Sequence, residues 1–322
     1  MSEVRTRPCV LVAAADAQRR RTPDAVLPLR AVQAYVARIQ ITPFFGKESS
    51  YQSKKHIIYL VLCVIVCSLS AIYCGVNIFS DSDDIKLGQQ MDEQIRKDPK
   101  EYSILEGHPE VKQYVMEVGN RVLTSPAITK RGIYAYKYEI IRNDSTVNAF
   151  CTPGGYIYVY TGLLKFVDNE ATLAGVMGHE IAHAERRHAT KRITKAYGAQ
   201  ILLSIALGEK SSQIAEMTAN LFTGLALLAN SRSDESEADE YSMKYLSGSP
   251  YYPGAISYFF EKMTAKKGGK SGGTLERFLS THPLDQDRIN HVNELLQQMG
   301  NPKPTPVNLF TDRFQEFKKK LP

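Results

Sequence analysis

The stretch that decides the reading is Ala171-Thr172-Leu173-Ala174-Gly175-Val176-Met177-Gly178-His179-Glu180-Ile181-Ala182-His183. Positions four apart lie on one face of an α-helix, about one turn apart, so His179 and His183 can grip one metal ion. Glu180, beside the first histidine, can then reach a water at an open metal position without ligating the metal itself. The eight residues before His179 are too apolar for a solvent-exposed helix. They bury the histidine pair and argue against two ordinary surface histidines. The chemistry expected is a zinc site, one Zn2+ per chain, with Glu180 as general base in the attack of water on a peptide carbonyl.

A third ligand must come from elsewhere. His188 follows His183 by only five residues, and a supporting role behind the ligands suits it better than ligation. The acidic segment Ser231-Arg232-Ser233-Asp234-Glu235-Ser236-Glu237-Ala238-Asp239 is the better source. Glu235 and Asp239 are four apart, so a helix would present both to one site. One carboxylate can ligate zinc while the other hydrogen-bonds a ligand histidine. A solvated charge run is the competing reading of so dense a stretch.

Composition narrows the classes. The chain has 322 residues, 43% hydrophobic and 23% charged, which excludes disordered and collagen-like proteins and allows one or two domains. Its net charge of +6 resides in residues 1–55, where ten Lys/Arg face four Asp/Glu. The remainder is balanced at 30 of each sign, so no nucleic-acid partner is expected. Of five cysteines, Cys63, Cys67 and Cys74 sit in or beside one apolar run and Cys9 in the leader, leaving Cys151 without a disulfide partner.

Residues 1–55 read as a basic leader: a targeting segment, a disordered extension or an overlong gene model. The apolar run Ile57–Val76 is long enough to cross a bilayer, so residues 56–79 read as a transmembrane anchor or a lipoprotein signal ending at Cys74. Lys54 and Lys55 before it, and Asp81, Asp83 and Asp84 after it, predict that the bulk of the chain is exported. Residues 85–125 read as helices, Tyr134–Ile141 and Tyr156–Tyr160 as strands, and the chain from Glu170 onward as helical. Segments 192–208 and 212–229 are apolar enough for core helices or for contact with a membrane surface. Residues 265–274 read as a loop and 301–322 as a tail.

Together these residues carry a resemblance. His-Glu-x-x-His followed some fifty residues later by Ser-Arg-x-x-Glu-x-x-Ala-Asp resembles the gluzincin peptidases of the CAAX prenyl protease and HtpX family. Val147-Asn148-Ala149-Phe150-Cys151-Thr152-Pro153-Gly154-Gly155-Tyr156-Ile157 resembles the strand ahead of the metal helix in BepA-like and Oma1-like single-anchor members. Arg187-His188 resembles the end of that helix, and Leu279-Ser280-Thr281-His282-Pro283 a late Thr-His-Pro loop. The resemblance covers roughly residues 85–297. It implies an α+β fold, mostly helical with a small β-sheet, spanning residues 80–300. It further implies His179, His183 and Glu235 as zinc ligands, Glu180 as base, and Asp239, with His188, behind the ligands. Substrate is expected at a strand edge formed by Asn148, Gly155, Tyr156 and Tyr158. His282 is expected at the zinc, either stabilising the oxyanion or filling the open position as a latency switch.

The expected function is a membrane-tethered zinc endopeptidase acting on misfolded or unassembled envelope proteins. Its expected partners are polypeptide substrates, the membrane and envelope assembly machinery. The bacterial periplasm is the first compartment expected, and the mitochondrial inner membrane the alternative. The rival class is a chaperone-like factor that binds exported chains and seldom cleaves them.

Overall fold

The computed structural model describes Tyr59 and residues 77–206, 230–267 and 275–322. Ser80 starts the first helix, α1 (Asp81–Lys97), with a reciprocal capping box to Asp83, three acids in the first turn and Arg96 and Lys97 in the last. Helix α2 (Pro109–Val122) opens on a proline, which lacks the N–H that a first-turn position leaves unused. Its buried face is Val111, Tyr114, Val115, Val118 and Val122, a stripe at helical spacing.

Three strands follow: β1 (Lys137–Ile141), β2 (Ala149–Thr152) and β3 (Tyr156–Tyr160), in the spatial order β1-β3-β2. β1 pairs parallel to β3, with Lys137 opposite Tyr156, and β2 pairs antiparallel to it, with Ala149 opposite Val159. The β2–β3 turn uses Gly154 and Gly155 at φ +76° and +88°, where a side chain would be strained. One sheet face (Tyr138, Ile140, Ala149, Ile157, Val159) joins the main core beneath α2 and the metal-site helix. The other (Ile141, Tyr156, Tyr158, Tyr160) packs on Ile95 of α1 and on Tyr102 and Ile104.

After a short α3 (Thr161–Phe166), helix α4 (Glu170–Glu185) carries the histidine pair, and all sixteen of its residues are buried. Helix α5 (His188–Ala206) follows a break at Arg187, whose φ is +61°. Helices α6 (Arg232–Ser247) and α7 (Ala255–Lys267) lie against α4. A Cβ on Gly175 would stand 2.9 Å from the Ile256 backbone, so glycine permits the α4–α7 approach. Then come α8 (Glu276–Thr281), α9 (Gln286–Gln298), α10 (Pro306–Leu309) and α11 (Thr311–Lys318). The fold is α+β, mostly helical around one small sheet, as expected.

Three expectations need correction. β3 is the central strand with all five residues buried, so β2, not Tyr156–Tyr160, offers the free edge. Residues 301–322 are not a tail: Phe314 and Phe317 belong to the main core, and Arg313 pairs with the wholly buried Glu170. Two aromatic residues three apart on one helix face supply the burial that a count of Pro and Lys overlooks. Residues 77–79, assigned to the anchor, belong to the folded part. Asn77 bonds Thr190 and Thr194, and Arg187 bonds the Phe79 carbonyl. Apart from Tyr59, the run 57–76 lies outside the described residues, as does segment 212–229; among the described residues no helix is long and apolar enough to cross a membrane.

Candidate metal centre

Asn169 caps α4 by accepting from the Thr172 N–H and so fixes where the helix starts. Nine residues on, His179 and His183 point the same way, with ring centroids 4.6 Å apart. Ser231 caps α6 in the same manner, accepting from the Asp234 N–H. This sets Glu235 and Asp239 one turn apart, facing α4, and both are fully buried. Ligand atoms of His179, His183, Glu235 and His282 lie within 4.8 Å of one another, and all four residues are buried.

The surrounding hydrogen bonds fix which ring nitrogens face inward. His179 Nδ1–H donates to Asp239 Oδ1 at 2.8 Å, a carboxylate that can only accept. His188 Nε2–H donates to Glu237 Oε2 at 2.8 Å, which leaves His188 Nδ1 to accept from His183 Nδ1–H at 2.7 Å. Both ligand-candidate rings therefore turn Nε2 lone pairs toward each other, 3.0 Å apart. Two facing lone pairs in a buried site repel unless a proton or a cation lies between them. Glu180 Oε1 is likewise buried without a hydrogen-bond partner. A donor set of two imidazoles, a carboxylate and a further imidazole suits zinc. The residues fit the metal that the sequence implies.

Electrostatics agree. Burial lowers the pKa of His179, but the Glu235 charge and the bond to Asp239 outweigh it and raise the group to about 10. Burial drives His183 well below its ordinary value. Burial opposes the charge on Glu235, yet the His282 and His179 charges bring its pKa well down. Burial raises Glu180, which makes it a better proton acceptor than an exposed carboxylate.

His282, at the end of α8, places Nδ1 2.9 Å from Glu235 Oε1 and Nε2 3.6 Å from Glu180 Oε1. It is 3% exposed and stacks on Phe278. The site lines a cavity of about 530 Å³ that also takes in Asn148, Phe150, Cys151 and Thr152 of the β2 edge. Asn148 lines the cleft, while Gly155, Tyr156 and Tyr158 do not.

Three functional groups escaped the sequence reading. Arg288, 2% exposed, lies 2.7 Å from Glu235 and 2.8 Å from Asp239 and neutralises both. Glu237 stands behind His188, and Cys151 lines the same cavity as Glu180. Glu237 had a signal, being the middle acid of a Glu-x-Glu-x-Asp run. Arg288 had none, since one arginine in a charged helix looks like any other.

The family model of peptidase family M48 matches residues 109–296. The chain belongs to peptidase family M48. This M48 chain is 34% identical over 203 residues to the mitochondrial metalloendopeptidase OMA1 of Schizosaccharomyces pombe, covering 58% of this chain and 59% of the relative. It is 29% identical over 209 residues to a putative beta-barrel assembly-enhancing protease of Vibrio cholerae, covering 62% and 42%. It is 27% identical over 200 residues to the beta-barrel assembly-enhancing protease of Escherichia coli, covering 59% and 40%. The M48 chain thus spans about half the length of these curated relatives.

Proposed function

We propose that the protein is a membrane-tethered zinc metalloendopeptidase that cleaves misfolded or unassembled proteins of its own membrane compartment. The observation that carries this reading is the convergence of the His179 and His183 lone pairs with the Glu235 carboxylate, beside a buried Glu180 whose Oε1 has no hydrogen bond. His179, His183 and Glu235 would hold the metal, and His282 offers a further donor atom beside them. Bound zinc supplies a Lewis acid and lowers the pKa of water it holds. Asp239 and the His188–Glu237 pair hold the ligand rings in the required tautomers, and Arg288 offsets the buried carboxylates. Glu180 takes the proton of the attacking water and passes it to the leaving amine.

Substrate adds to the edge of β2. Asn148 O accepts from Tyr160 N–H, so the backbone of Asn148, Phe150 and Thr152 is spent on β3. By antiparallel alternation, Ala149 and Cys151 turn N–H and C=O outward, toward an extended peptide. Residues 56–76 form the anchor, 77–322 the peptidase domain and 1–55 the leader. For the compartment we favour the mitochondrial inner membrane over the bacterial periplasm. The basic, acid-poor leader and the higher identity to the mitochondrial relative support this choice. Import of the full chain into isolated mitochondria, with shortening of the leader, checks it.

Full-length wild type and Glu180→Gln, purified in detergent, are compared for bound zinc and for casein cleavage. Equal zinc, with turnover falling about 10²- to 10⁴-fold in the variant, is expected. Equal zinc with tight casein binding and no turnover by the wild type would establish a chaperone-like factor instead.

A further inference from the structure

The cleft runs along β2 from Asn148 at the strand's start to Pro153 just past its end. At the start, its two walls are joined. Glu101 lies on the strap that follows α1, and Arg277 on α8, the helix that ends at His282. Arg277 Nη1 donates to Glu101 Oε1, and the guanidinium lies over the rings of Tyr102 and Tyr160, 5.6 and 5.7 Å from their centroids. Tyr160 donates its N–H to the Asn148 carbonyl at 3.1 Å, so the pair stands at the head of the strand edge. The strap itself is fixed to β1: Arg142 N–H donates to Ser103 O at 2.7 Å, and Leu105 N–H to Ile140 O at 2.8 Å. Any backbone movement that accompanies opening of the pair therefore falls to α8 rather than to the strap.

β2 is four residues long, so its edge spans about 13 Å at ~3.3 Å per residue. An extended chain laid along it meets the pair after about four residues. We propose that Glu101 and Arg277 are specificity-determining residues. Closed, they admit only a segment that terminates inside the cleft. Open, they let an extended polypeptide pass through, as an endopeptidase requires. The inference rests on reading the cleft as a peptide groove. The two side chains are 48% and 31% exposed, so the pair is weak, salt-sensitive and able to open without a catalyst.

Cys151 lines the same cleft and reports on its access. The test uses the full-length chain in detergent with Cys9→Ser, Cys63→Ser, Cys67→Ser and Cys74→Ser, so that pulse labelling by N-ethylmaleimide reads Cys151. Arg277→Gln and Glu101→Gln are expected to speed labelling about two- to five-fold. The exchange Glu101→Arg with Arg277→Glu restores the wild-type rate, and Arg277→Lys stays near it. In a Glu180→Gln background, fluorescein-labelled carboxymethylated casein is expected to bind more tightly in the same order of variants. Unchanged labelling in both single variants, or an exchange that labels as fast as they do, overturns the proposal. If the single variants misfold, the exchange and Arg277→Lys carry the comparison. Labelling needs neither metal nor turnover, so a chain without peptidase activity still tests the gate.

Discussion

At the residue scale, helix α6 does more than supply a ligand. Glu235 faces the metal position, Asp239 fixes the tautomer of His179, and Glu237 fixes that of His183 through His188. Each imidazole is thus oriented by its own carboxylate, one directly and one through a relay. Glu237→Ala removes the acceptor that holds the relay, so metal affinity is expected to fall about 10- to 100-fold, measured by competition with a chromogenic chelator. The relay idea fails if affinity stays within two-fold. His282 contacts both Glu235 and Glu180, and on the proposed reading it would sit where substrate oxygen must come. His282→Ala should raise casein turnover while leaving bound zinc near one per chain. Lower turnover at full zinc would instead assign His282 to transition-state stabilisation.

At the element scale, the metal helix owes its position to neighbours on every side. Ser242 of α6 donates to the Gly175 carbonyl at 2.8 Å, and α7 crosses where Gly175 leaves room. The carboxylate of Glu170, in the first turn, accepts from Tyr114, Tyr251, Arg121 and Arg313. Helix α11 is part of this frame, with Phe314 fully buried and Tyr114 stacked on Phe317 at 3.8 Å. Phe314→Ala leaves a cavity and is expected to cost about 3–5 kcal/mol, seen as a lower midpoint in urea at unchanged m-value. A shift below 1 kcal/mol would return the C-terminal segment to the status of a tail.

At the scale of the whole molecule, buried tyrosines and carboxylates tie the layers together. Tyr134 donates to Asp84 at 2.7 Å, Tyr158 to Asp92 at 2.8 Å, and Tyr136 to Glu185. Burial first, and then the carboxylate partner, raises the pKa of each. Burial pushes Tyr160 up to about 12 against the opposing Arg277 charge. A folded-state value above the unfolded ~10 means the stabilisation is whole below pH 10 and is lost as pH rises through the folded values. At pH 11 free tyrosines of pKa ~10 are about nine-tenths ionised, so tyrosinate absorbance of the folded protein is expected to fall well short of that, the rest appearing with unfolding. About nine-tenths ionisation at pH 11 in a protein still folded would contradict these contacts.

Much of the site was readable from residue order because its chemistry is local. A helix brings positions four apart together whatever surrounds it, so His179 with His183 and Glu235 with Asp239 pair by spacing alone. Apolar flanks then dictate burial, and the α2 stripe and the strand alternation follow from the same periodicities. Strand order was beyond such reasoning. Tyr156–Tyr160 alternates as an edge strand does, yet it is central, because β1 and β2 both pair with it and only long-range backbone bonding chooses partners. Arg288 and Glu237 were hidden for a similar reason. A charged side chain on a helix reads as solvated until another helix, tens of residues away, covers it and leaves a buried carboxylate or imidazole for it to meet.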